Sequence, residues 1–238
     1  MIVYRIWGLR SCGSQKTTYN FKLYIRDWRL EYAHSCRSSG EGLTQHRILL
    51  ILKLAYVDVE TTGLNPQLHT IWNAAVIIQA PGMKTEEFSF KCRPLPGAAV
   101  DVKSLKVGGI KEEDLLNFSD PTACKKDLEK FLSIYVDRYD KGDKYNFIAY
   151  NSPFDMEFLR NWFVQQGDDY FGSWFWFPDI CVMRALASKL MLRRRNIKNF
   201  QMSTVAKFLG IEIDPKLSHD ALYDARVVKR LYSEFAYE

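Results

Sequence analysis

Five residues able to hold a divalent cation and move a proton lie in three distant stretches of the chain: Asp58 with Glu60, then Asp155, then His219 with Asp224. The first stretch is the sharpest. In Leu54 to Leu64 (LAYVDVETTGL) an apolar run leads into two acids two residues apart, so on a strand both carboxylates share one face. Like charges at that spacing repel, and a hard oxygen-seeking cation such as Mg²⁺ or Mn²⁺ between them removes the conflict. The plainer account makes them solvent-facing acids on an edge strand. Gly63, directly after the strand, permits a turn or the close approach of a ligand to the backbone.

The second stretch, Ile148 to Leu159 (IAYNSPFDMEFL), runs from a strand-like segment through Asn151 into a helix start, with Ser152 as N-cap, Pro153 at the first helical position and Asp155 at the third. Asp155 therefore has two readings. It is either a capping acid bonded back to Ser152 or a third metal carboxylate held near a helix N-terminus. In the third stretch, Leu217 to Leu231, the residues Ala221, Leu222, Ala225, Val228 and Leu231 form an apolar stripe, which puts Asp224 on a helix beginning near Ser218 or His219. Small neighbours let such a helix approach a sheet closely. His219, at the helix mouth, is either a local surface residue or the group that takes a proton from water, a task suited to imidazole near neutral pH. Asp220 reads as a first-turn helix acid.

Together these segments resemble the DEDDh exonucleases, a ribonuclease H-like group that includes bacterial proofreading subunits. Asp58 and Glu60 stand in the first D-x-E-T/x-T-G-L motif, Asp155 in N-x-x-F-D, and His219 with Asp224 in H-x-x-x-x-D, whose spacing selects the histidine branch. Phe90 with Pro94, Gly109-Ile110 and Pro178-Asp179 resemble intervening landmarks, and the likeness runs over roughly residues 54 to 236. Trp72-Asn73 departs from it, where related chains often carry an acid and a small residue; the departure is expected to touch strand packing or the nucleotide pocket more than metal binding. The resemblance implies a mixed α/β sheet flanked by helices and two Mg²⁺ or Mn²⁺ ions held by Asp58, Glu60, Asp155 and Asp224, with His219 as proton acceptor. It further implies 3′-5′ hydrolysis of phosphodiesters in single-stranded or frayed DNA, releasing nucleoside 5′-monophosphates. Thr61, Gly63, Leu64 and Asn151 would contact substrate, Leu64 packing on the terminal base. The partner is then a nucleic acid with a free 3′ end, DNA before RNA, and a polymerase or replication protein is a further expected partner. The Val59-Glu60-Thr61 form of the first motif looks closer to the proofreading nucleases than to the oligoribonuclease branch. The competing readings are an RNA-trimming or oligoribonucleotide enzyme, and a nucleic-acid-binding protein without catalysis.

The elements needed to position these groups follow from the pattern. Ile51 to Val59, Ile71 to Gln79 and Glu87 to Cys92 read as strands, Pro94 to Val100 as a loop, Ala123 to Tyr135 as a helix, and Tyr145 to Tyr150 as a strand. Met156 to Gln165, Asp179 to Leu192 and Met202 to Leu209 read as helices ahead of the Asp224 helix. A short meander followed by helices and an inserted strand favours a mixed sheet. The aromatic cluster from Tyr170 to Phe177 reads mainly as core, with a base contact by Trp174, Phe175 or Trp176 as the alternative.

With 238 residues and 47% apolar content the chain is sized for one sizeable core. The net charge of +5 is uneven: residues 1 to 53 carry nine Lys or Arg against three acids, leaving the remainder near neutral. Residues 1–53 are therefore set apart as a basic N-terminal extension from an exonuclease domain at 54–238. Arg193, Arg194, Arg195 and Lys198 form a local cationic run, either a solvated loop or a set of phosphate contacts. Cys12, Cys36, Cys92, Cys124 and Cys181 form no paired spacing, which with the lack of a signal-like start points to reduced thiols inside the cell. The apolar run Ile48 to Val57, broken by Lys53, is too short to span a bilayer.

Overall fold

The computed structural model describes residues 52–236 and, ahead of them, two short strands, β1 (Tyr24–Ile25) and β2 (Trp28–Arg29), paired antiparallel with Tyr24 opposite Arg29. Cys12, Cys36 and most of the basic extension at 1–53 lie outside the described residues. The chain divides into two compact units, Met1–Thr44 and Gln45–Glu238.

In the second unit five strands form one sheet: β3 (Leu54–Thr61), β4 (Ile71–Gln79), β5 (Glu86–Lys91), β6 (Tyr145–Ala149) and β7 (Phe175–Cys181), in the order β5-β4-β3-β6-β7. The first three make the antiparallel meander expected from their spacing, while β6 runs parallel to β3 and β7 parallel to β6. Helices cover both faces, which is why β4 is apolar along nearly its whole length instead of alternating.

Two short helices, α1 (Val102–Val107) and α2 (Glu112–Leu115), follow β5, and one face of the sheet packs against α3 (Pro121–Leu132) and α4 (Ser152–Val164). There Val57, Val59, Ala74, Val76 and Phe147 meet Leu128, Phe158, Leu159 and Trp162. Each such aromatic or aliphatic side chain fully withdrawn from water contributes about 1.5–3 kcal/mol. Asp120 starts α3 by accepting the N–H groups of Thr122 and Ala123, ahead of Pro121 at a position that needs no donor. The other face packs against α5 (Val182–Lys189), α6 (Met202–Phe208) and α7 (Ala221–Ala236). There Leu54, Tyr56, Ala75 and Ile77 meet Leu186, Val205, Ala225, Val228 and Leu231. Ala221 and Ala225 are fully buried, so the small residues do bring α7 close to the sheet.

This is the ribonuclease H-like mixed sheet the motifs imply, and β4 occupies the span expected for it. Two readings are corrected. Asp179–Cys181 is not helical but ends β7, an edge strand that accommodates Pro178 at no cost to a central ladder; α5 begins only at Val182, and Met191–Asn196 follows as a 3₁₀ segment. The terminal helix starts at Ala221 rather than at Ser218 or His219, because Asp220 turns its carboxylate onto the Tyr223 N–H and His219 sits at a φ of 69°, outside helical geometry. Among the described residues no helix is long and apolar enough to cross a membrane, and Cys92, Cys124 and Cys181 are free, buried thiols.

Candidate active site

Asp58 and Glu60 lie near the C-terminal end of β3, on the face that carries Leu54 and Tyr56 and looks toward α7. The adjacent parallel strand β6 ends two residues before α4, so Asp155, in the first turn of that helix, is delivered to the same end of the sheet. The capping reading of Asp155 does not hold: its Oδ1 accepts the backbone N–H of Val59 on β3 at 3.1 Å. Nor does Ser152 cap the helix. It is the first helical residue, Asn151 is the N-cap without a side-chain bond, and the Ser152 hydroxyl donates instead to the Asp179 carboxylate.

From the opposite side α7 contributes Asp224, which is buried. Its Oδ2 accepts the His219 backbone N–H at 3.0 Å, while Oδ1 is buried with no partner among the described residues. His219 is exposed, and its Nδ1 stands 3.8 Å from Glu60 Oε1. Glu60, His219 and Asp224 offer one ligand atom each within 4.8 Å of one another.

The electrostatics tie the remaining acids to this cluster. Burial pushes the Asp58 carboxyl well above the usual range, and the neighbouring charges of Asp155, Glu60, Asp224 and Asp220 push it further. Glu60 is raised to about 8, first by burial and then by Asp224, Asp155 and Asp220. Asp155 is raised to about 7 by burial, against the pull of the Val59 N–H, and Asp224 is raised chiefly by burial. Four carboxylates all raised by burial, two of them raised further by the others, and a buried Asp224 oxygen with nothing to bond among the described residues fit a hard cation: all the carboxylate donors are oxygens, the set preferred by Mg²⁺ or Mn²⁺.

The loop after β3 is pinned rather than loose. Thr61 Oγ1 donates to the Gly63 carbonyl at 2.6 Å, and Thr62 Oγ1 donates to the Ala99 carbonyl at 2.7 Å while accepting the Thr70 N–H. Gly63 is required by close approach: a Cβ there would lie 2.0 Å from His69 Cδ2. Leu64, next in the loop, is left 78% exposed, and Asn151 is exposed at the mouth of α4. The cationic run is partly committed to packing, with Arg193 over the Phe208 ring and Arg194 over the Phe200 ring; Arg195 and Lys198 are exposed. Of the aromatic cluster, Phe171, Trp174 and Phe175 are core, and Trp176 is partly exposed. Two acids gained importance only in three dimensions. Asp179, bonded to Ser152, adds its charge to Asp155, and Asp220 raises Asp58, Glu60 and Asp224 besides capping α7. The Pro178-Asp179 landmark was the available signal for the first. Nothing local marked the second.

This fold and donor set define a ribonuclease H-like domain with an acidic, cation-accepting centre at the ends of its parallel strands. The chain belongs to the exonuclease family, which it matches from residue 56 to residue 232. It is 27% identical over 186 residues to the PolC-type DNA polymerase III of Mycoplasmopsis pulmonis, an alignment covering 76% of this chain but 11% of that polymerase. It is 25% identical over 193 residues to ribonuclease T of Buchnera aphidicola, covering 74% of this chain and 80% of that enzyme. Escherichia coli exonuclease I, solved in complex with a dT13 oligonucleotide, shares the fold with a TM-score of 0.61 at 18% identity, over 77% of this chain and 41% of that one. The chain thus spans about a tenth of the polymerase and under half of exonuclease I.

Proposed function

We propose that this chain is a 3′-5′ exonuclease that removes nucleoside 5′-monophosphates from single-stranded or frayed DNA, using Asp58, Glu60, Asp155 and Asp224 to hold two Mg²⁺ or Mn²⁺ ions. The observation that carries the reading is the convergence of these acids with His219 on one end of the sheet, including the unpartnered Asp224 Oδ1. When bound, the ions would lower the pKa of the attacking water and offset the charge of the leaving oxygen.

The chain's own groups do the rest. His219, reaching from an exposed turn, takes the proton from the water whose oxygen attacks phosphorus. The P–O3′ bond breaks, leaving a shortened strand with a 3′ hydroxyl and a free 5′-monophosphate. Leu64 offers an exposed apolar face to the terminal base, while the pinned backbone of Thr61 and Gly63 and the Asn151 amide orient the terminal nucleotide. Arg195 and Lys198 meet the phosphates first, Arg193 and Arg194 being already stacked. Residues 1–53 act as a basic arm that adds polymer affinity to the domain at 54–238, which works inside the cell beside a polymerase or other replication protein.

A second reading, RNA trimming, is favoured by the match to ribonuclease T, which extends over most of that enzyme. One assay separates the two: matched single-stranded DNA, duplex DNA, RNA and dinucleotides with Mg²⁺, each with a free or blocked 3′ end. DNA turnover at least tenfold above RNA, about 1.4 kcal/mol in the transition state, and dependent on the free 3′ end, is the expected result. The reverse ratio selects RNA, and rapid cutting of circular single strands rejects exonuclease action.

A further inference from the structure

We propose that Asn73 is a positioning residue for the Glu60 carboxylate and, through it, for the cation that the site would hold. The inference rests on the metal-dependent reading above. It starts from strand register. β3 and β4 pair regularly from Leu54 opposite Gln79 to Glu60 opposite Asn73, and the register slips only beyond that rung, where Thr61 meets Ile71. Residues directly opposed in an antiparallel pair share a face with their Cβ atoms about 4.5–5.5 Å apart. Asn73 therefore stands beside Glu60 on the face that carries Asp58, just as Ala75 stands beside Asp58 itself.

Its chemistry is out of keeping with its strand. Ala74, Ala75, Val76, Ile77 and Ile78 are all apolar and buried, and Asn73 is equally withdrawn, at 3% exposure. Its side-chain amide nevertheless makes no hydrogen bond among the described residues. An amide on an otherwise apolar strand, beside a ligand site and opposite Glu60, is accounted for if the occupied site gives it a partner. The partner is at hand. Glu60 accepts no hydrogen bond among the described residues, and His219 Nδ1 at 3.8 Å is beyond direct bonding range. Once Glu60 is ionised by a bound cation, an Asn73 Nδ2–H donated to one carboxylate oxygen fixes the rotamer and leaves the other oxygen for the ion. Outer groups that orient ligands in this way typically control metal affinity by about 10–100-fold. The departure at Trp72-Asn73 thus divides in two: Trp72 is buried against Leu105 and Leu115 and is stacked on Phe118, whereas Asn73 bears on the metal centre.

The test is Mn²⁺ binding to the full-length chain, read by electron paramagnetic resonance of free Mn²⁺, for wild type, Asn73→Leu and Asn73→Ala. Leu preserves the volume, and Ala is the control should Leu overpack. The expected result is a Kd for Mn²⁺ weakened about tenfold in both variants, with the metal-free melting temperature unchanged or raised. Turnover should fall through kcat at limiting metal, with KM for an oligonucleotide unchanged. A Kd within about twofold of wild type in either variant that keeps its metal-free melting temperature would overturn the proposal while leaving the metal site standing. Failure of the wild-type chain itself to bind Mn²⁺ would overturn both.

Discussion

Without metal, this protein should lose stability as pH rises through the neutral range, and Glu60→Gln should remove much of the loss. Glu60 sits at about 8 against an ordinary 4.5, and Asp155 at about 7 against 3.8. Both are raised, so in the interval between those values the folded state keeps protons that the unfolded chain has released. Stability is then complete below about pH 4.5, declines as pH climbs, and levels off above about pH 8. At about 1.4 kcal/mol per pH unit, Glu60 alone sets an upper bound of about 5 kcal/mol. Its side chain is 15% exposed and coupled to its neighbours, which reduces the expected effect to about 2–4 kcal/mol. For a domain of this size that is a melting-temperature difference of about 5–15 °C. The assay is thermal or urea unfolding in EDTA at pH 4.5, 6, 7 and 8.5 for wild type and Glu60→Gln. The curves should coincide near pH 4.5 and diverge upward in pH, with the variant more stable; Mg²⁺ or Mn²⁺ at pH 8 should raise wild type and not the variant. Parallel pH curves for the two proteins would refute the reading that burial and its acidic neighbours keep Glu60 protonated in the metal-free fold.

Replacing His219 with Asn, a residue that tolerates the φ of 69° found there, should lower kcat by about 10²–10⁴-fold while changing the Mn²⁺ Kd by less than about threefold; a parallel loss of metal binding would make it a ligand instead of a base. Gly63→Ala should cost about 1–3 kcal/mol through the collision with His69, and His69→Ala in the same chain should recover most of it in a double-mutant unfolding cycle. Deleting residues 1–53, which carry a net +6, should weaken binding to long single strands and flatten its salt dependence while sparing dinucleotide cleavage, both measured by titrations at 50 and 200 mM salt.

The parts of the site legible in the sequence are those encoded locally. D-x-E at a strand end needs only the period of a strand to put both carboxylates on one face, and β4 could be read because nine consecutive residues suit a strand covered on both sides. The parts that escaped depend on which residues meet across long separations. Asp155 had a sound local reading as a cap, and what overrode it was the Val59 N–H, 96 positions away in the chain, which no window around Asp155 contains. Strand β7 escaped for a related reason: Phe175–Cys181 has no clean alternation, and only pairing with β6 makes it a strand. Asn73 is the clearest instance. In sequence it is one polar residue in an apolar strand. Only the register, with Glu60 opposite Asn73 and a slip one rung later, turns it into a neighbour of Glu60, since a shift of a single residue would have sent its amide to the opposite face.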